Sequence, residues 1–135
     1  MLNTQETCTD KPQIHGRKAE VFVADKLRNL GFLVHKMPAR SKFDLLVGSK
    51  QVEVKAARFG ADNSWRINLH RHGTLDESSV DAYVIVLSDI PGSGPMSLFL
   101  VIPAPCETPT LNISVPTLIR KYAKYVDNWD CLKES

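Results

Sequence analysis

Glu53-Val54-Lys55 sets a carboxylate and an ammonium two positions apart inside the mostly apolar run QVEVKAA, residues 51–57. An extended chain alternates its side chains with period two. Val52, Val54 and Ala56 therefore point one way, and Glu53, Lys55 and Ala57 the other. The two charges then stand on one face, about 6.5–7 Å apart along the strand. Two further acids break the pattern of their own segments. Asp44 opens the strand-like FDLLV although aspartate is depleted in strands. Glu20 falls about 20° from Leu27 and about 60° from Val23 on a helical wheel, inside the apolar stripe. A charge there is costly unless something pairs with it.

Each anomaly has a plain explanation of its own. Glu20 near a helix N-terminus is favoured by the dipole and can lean out to water. Asp44 can end a loop and cap its own backbone. Glu53 and Lys55 can form a structural ion pair, worth little if exposed. Taken together, the residues suggest more. Three acids (Glu20, Asp44, Glu53) and one lysine (Lys55) could meet at one edge of a sheet. Two carboxylates and a backbone carbonyl make a hard oxygen site suited to Mg²⁺ or Mn²⁺. Lys55 would neutralise a phosphate or orient a water there. A cation would activate that water and offset charge at the phosphate, the chemistry of phosphodiester hydrolysis.

The elements that must position these residues follow from periodicity. Residues 16–30 read as a helix with Ala19, Val23, Leu27 and Leu30 on one stripe, Lys18, Asp25 and Asn29 opposite, and Gly31 as its stop. Residues 32–35 read as a strand and 37–42 as a basic connection. Residues 43–47 and 51–57 read as a hairpin around Gly48-Ser49. Residues 65–69 alternate like another strand, with Arg66 and Asn68 to one side and Trp65, Ile67 and Leu69 to the other. Residues 82–87, AYVIVL, are a strand buried on both faces. Residues 98–102 form a further strand. Residues 114–126 read as a closing helix with Ser114 as N-cap and Pro116 in its first turn. Leu118, Ile119, Tyr122, Tyr125 and Val126 supply its apolar part, and Arg120, Lys121 and Lys124 its charge. The expected architecture is one α/β domain with a mixed sheet, residues 14–135, preceded by a polar arm over residues 1–13.

The 135 residues suffice for one domain with a real core, and 43% hydrophobic with 24% charged residues argues against a disordered chain. The N-terminal residues lack a signal peptide's apolar segment, and no apolar run is long enough to span a bilayer. Cys8, Cys106 and Cys131 form neither a zinc pattern nor a disulfide framework, so a cytoplasmic location is expected. Net charge is +2, but its distribution is uneven. From His35 to His72 there are eight basic residues against three acids, a net of +5. A polyanion partner fits that segment. Arg66, Arg71, Lys42 and Arg58 within it, with Arg17 at the helix start, are candidates for phosphate contacts. His70 and His72 make only a weak metal pair, without further ligands.

These residues resemble a family. Phe43-Asp44, a gap of eight, then Glu53-Val54-Lys55 is similar to the signature of the PD-(D/E)XK nuclease superfamily. Gly16-Arg17-Lys18-Ala19-Glu20 resembles the helix-borne glutamate motif that precedes it in many members. The likeness covers roughly residues 14–87. Small members include Holliday junction resolvases and homing endonucleases. The resemblance implies a restriction-endonuclease-like domain, a central mixed sheet flanked by helices. It implies Asp44, Glu53 and the carbonyl of Val54 as metal ligands, Lys55 as the catalytic lysine, and Glu20 as an auxiliary acid. It implies a Mg²⁺- or Mn²⁺-dependent endonuclease cutting DNA at branched or specific duplex sites, working as a homodimer. Phe43 stands where the family name has proline. Two other readings remain open on the sequence: a nucleic-acid-binding module that does not cut, and a domain whose basic segment meets an acidic protein.

Overall fold

The structure is a computed structural model. It describes residues 12–38, 41–69, 80–89, 97–104 and 110–134, and in the first helix the side chains from Lys18 onward. That helix, α1, spans Pro12–Asn29 and starts four residues earlier than the sequence pattern suggests. It buries Ala19, Val23, Ala24 and Leu27. Leu30, expected on the same stripe, is instead 47% exposed. The helix ends where Gly31 takes φ +98°. The N–H of Phe32 donates to the Leu27 carbonyl and that of Gly31 to the Arg28 carbonyl. These two bonds satisfy the last turn in the manner only a left-handed residue at this position allows.

Seven strands follow among the described residues: β1 Val34–Lys36, β2 Leu45–Val47, β3 Lys50–Arg58, β4 Ser64–Asn68, β5 Ala82–Ser88, β6 Leu98–Pro103 and β7 Thr110–Ser114. Five make one sheet in the order β1-β2-β3-β5-β6. All neighbours in it are antiparallel except β3 and β5, which run parallel. The sheet is therefore mixed, as expected, and β5 is buried along nearly its whole length. Strands β4 and β7 pair with each other as a separate antiparallel sheet.

Strand alternation sorts the core into two layers. Val52, Val54, Val84, Val86 and Val101 pack against α1, together with Trp129 and Leu132. Ala57, Tyr83, Ile85, Leu87, Leu100 and Ile102 pack against Trp65, Ile67, Leu111 and Ile113 of the small sheet. A helix thus covers one face of the central sheet, and a β-ribbon lies against the other.

The regular closing helix is not formed. Ser114 does act as N-cap, accepting the N–H of Thr117 at 3.3 Å, but the α-helical turn ends at Thr117. A wider π-type turn, Leu118–Tyr122, and a 3-10 turn, Ala123–Tyr125, take over. The cause lies at Val126, which leaves the helix to bridge Leu100, while Asp127 N–H donates to the Phe99 carbonyl. These contacts cover the open edge of β6, and an uncovered edge is a hazard. Ile119, assigned to the apolar side, is 66% exposed. The tail then places Trp129 and Leu132 in the α1-side core and reaches the β2–β3 turn, where Glu134 meets Ser49.

Candidate active site at the fork of β2 and β3

The hairpin explains why Asp44 stands where it does. Leu45 is the register partner of Val52, yet the Asp44 N–H also donates to the Val52 carbonyl at 3.0 Å. Two residues therefore oppose one, a bulge at which β2 leaves β3. Beyond it no strand among the described residues pairs with β3 on that side, and the Val54 N–H has no ladder partner there. The Asp44 carboxylate supplies one, with Oδ2 accepting the Val54 N–H at 2.8 Å. Asp44 thus caps a distant strand and not its own loop. A residue's N–H and C=O leave a strand on the same edge. The Val54 carbonyl consequently opens into the gap that the Asp44 side chain occupies.

Glu53 and Lys55 project from the other face of β3, as alternation requires. Their neighbours in register on β5 are Tyr83 and Ile85, so the charges rise from the side that carries the β4–β7 ribbon. Lys55 Nζ lies 2.8 Å from Glu53 Oε2, with 26% and 12% of the respective side chains exposed. This pair is half-buried, where a Coulombic contact is screened less than between exposed chains.

Asp44 thus meets the Val54 backbone at the fork, and Glu53 and Lys55 flank Val54 along β3 as a pair of their own. Glu20 is half-buried on α1, the layer that covers the Val52 and Val54 side chains. Among the described residues no group of three acidic, histidine or cysteine side chains assembles as a metal site, so Glu20 does not complete a triad with Asp44 and Glu53. The oxygen donors carried by β3 and the bulge beside it are the Asp44 and Glu53 carboxylates and the Val54 carbonyl. That set fits Mg²⁺, which keeps several waters and commonly uses one or two carboxylates plus substrate phosphate.

Lys42, Arg58 and Arg66 are all exposed. Arg58 lies 3.9 Å from Asp89, and Arg66 lies 3.5 Å from Asp62. Such exposed pairs hold a side chain loosely. The Arg17 side chain, Arg71, His70, His72, Cys8 and Cys106 lie outside the described residues. Cys131 is partly buried, and desolvation pushes its thiol pKa up, which suits a packing role. Sequence reasoning missed Tyr83 as the buried neighbour of Glu53. Its only signal was position in an apolar run, which says core and nothing about the adjacent charge.

No family model and no curated protein matches the chain. Its fold is similar to the solved structure of a bacterial homing endonuclease, I-Ssp6803I, with a TM-score of 0.65. The match covers 90% of this chain and 91% of that one at 16% sequence identity. The chain therefore has a nuclease-like fold, and among its described residues no helix is long and apolar enough to cross a membrane.

Proposed function

We propose that the chain is a metal-dependent endonuclease that hydrolyses DNA phosphodiester bonds. The observation that supports this is the Asp44 carboxylate held on the Val54 N–H, with the Glu53–Lys55 pair on the residues either side of Val54. The fold shared with a homing endonuclease supports it, as does the net +5 of residues 35–72.

In this reading Asp44 and Glu53, with the Val54 carbonyl, hold a divalent cation. Bound there, Mg²⁺ or Mn²⁺ would lower the pKa of a water and offset negative charge on the scissile phosphate. Asp44 is fixed through one oxygen by Val54, which leaves the other to face the ion. Lys55, anchored on Glu53, donates to a phosphate oxygen or to the attacking water and restrains its approach. Water would add to phosphorus and release a proton to solvent, the bond to the leaving sugar oxygen would break, and that oxygen would take up a proton from solvent. One such site in each chain of a homodimer would cut both strands.

The test is incubation of the purified chain with branched, duplex and single-stranded DNA in Mg²⁺ or Mn²⁺. Cleavage should be lost on chelation and in Asp44→Ala and Lys55→Ala. Cleavage that survives both substitutions refutes the assigned site. A binding module that does not cut is the second reading, favoured by Glu53 closing on Lys55 at 2.8 Å. It requires DNA binding intact and no calorimetric signal from Mg²⁺ or Mn²⁺.

A further inference from the structure

The ribbon of β4 and β7 has one face accounted for and one not. Trp65, Ile67, Leu111 and Ile113 bury its inner face. Its outer face presents Arg66 and Asn68 on one strand and Asn112 and Thr110 on the other, all exposed. Register sets Arg66 beside Asn112 and Asn68 beside Thr110. The row holds one guanidinium, two amides and a hydroxyl, with no carboxylate and no large apolar group. It matches the groups that read base edges: arginine for guanine, asparagine for adenine, and a hydroxyl for either.

Geometry strengthens the match. Stacked sheets lie about 10 Å apart, so the ribbon stands about that far above the sheet from which Glu53 and Lys55 rise. The major groove of B-DNA is about 8.5 Å deep and admits a two-stranded ribbon. Arg66 and Asn68 are two residues apart, about 6.6 Å, or about two base-pair steps of 3.4 Å. The Thr110 hydroxyl donates to Asn68 Oδ1 at 3.0 Å, which orients that amide. The ion pair from Arg66 to Asp62 is long at 3.5 Å and exposed, so it is easily exchanged for a base.

We infer that β4–β7 is a reading ribbon that enters the major groove of duplex DNA, with Arg66, Asn68 and Asn112 as specificity-determining residues. The inference rests on the DNA reading of the fork above. It commits to B-form DNA, because the deep, narrow major groove of an RNA duplex excludes such a ribbon.

The experiment is selection of bound duplexes from a library with a randomised central window, using the full chain with Ca²⁺ in place of Mg²⁺. The wild-type chain should select a consensus. Arg66→Lys keeps the charge but loses the bidentate fork. It should lower affinity for the wild-type consensus, and with it the preference at one base pair, roughly five- to a hundredfold, while affinity for non-consensus duplex stays near wild type. Asn112→Ala should relax a neighbouring position by a similar factor. Unfolding midpoints for both should stay near wild type, since the side chains are exposed. A consensus unchanged in both variants overturns the inference, and so does wild-type binding without sequence preference, even if the chain cuts DNA. Conversely, a consensus that follows Arg66 in a chain that never cuts in Mg²⁺ or Mn²⁺ removes the nuclease reading and leaves the ribbon standing.

Discussion

Asp44 reaches ten positions along the sequence to accept the backbone N–H of Val54 at 2.8 Å. One residue thereby closes the strand edge that the bulge exposes and offers a carboxylate to the same gap. These two duties separate by substitution. Asp44→Asn keeps an acceptor and loses the charge, so its unfolding midpoint in urea should stay close to wild type. Asp44→Ala leaves the Val54 N–H without that partner and should cost about 1–3 kcal/mol. Both should abolish Mg²⁺-dependent cutting. An Asp44→Asn chain that cuts at the wild-type rate would show that the charge has no part in the chemistry.

The Glu53 carboxylate, with only 12% of its side chain exposed, lies 2.8 Å from Lys55 Nζ. Lys55→Met retains the aliphatic stem and strands the carboxylate. The expected loss of stability is about 1–3 kcal/mol, between the limits for exposed and buried pairs. Adding Glu53→Gln removes the stranded charge and should recover most of it. Urea unfolding of the two single variants and the double variant measures this coupling. Strict additivity of the two losses would mean that the pair is not formed in solution.

Gly48 sits in the β2–β3 turn with φ +58°, and a Cβ there would run into the Glu134 carboxylate. Gly48→Ala should cost about 1–2 kcal/mol from the left-handed backbone alone. Displacing the Glu134 side chain adds to that. In a Glu134→Ala background only the backbone part should remain. A thermal or urea cycle of the four chains reads the difference, and equal costs in the two backgrounds would exclude the steric contact.

Much of this was legible before any coordinates. Val52, Val54 and Ala56 alternate with Glu53, Lys55 and Ala57 as period two demands, and the clusters they join lie on opposite faces of β3. Burial of β5 on both faces and the stop at Gly31 followed from composition and backbone freedom. What stayed hidden depends on contacts between segments distant in sequence. TLNIS alternates, but its register with β4 needs a partner over forty residues away, so β7, and with it Asn112 and Thr110, was missed. The closing helix was expected from local signals that are present at Ser114 and Pro116. It is cut short because β6 needed an edge cover. Glu20 lies near the stripe by angle, but packing centres on Ala19, Val23, Ala24 and Leu27, which leaves it half-buried.

The contact between Glu134 and Ser49 spans 85 positions and could not be read from either segment alone. The carboxylate accepts the Ser49 N–H at 2.8 Å and the Ser49 hydroxyl at 2.9 and 3.0 Å. These bonds, the backbone one foremost, hold its pKa below the usual carboxylate value, with Lys50 adding to the effect. A group whose folded pKa is depressed contributes stability above its unfolded pKa and loses it as pH falls through the folded value. The contribution should be complete at neutral pH and fade in acid, below the ordinary glutamate range of about 4.3. Glu134→Gln cannot titrate, so its melting temperature should fall less steeply than wild type between neutral pH and about pH 3. Parallel curves for the two chains over that range would mean that the tail does not clasp the turn in solution. Because the turn joins β2 to β3, releasing it should also loosen the hairpin that carries Asp44 and Val54. Hydrogen exchange at the Val54 amide should then quicken in Glu134→Ala, which removes the acceptor, relative to wild type at neutral pH.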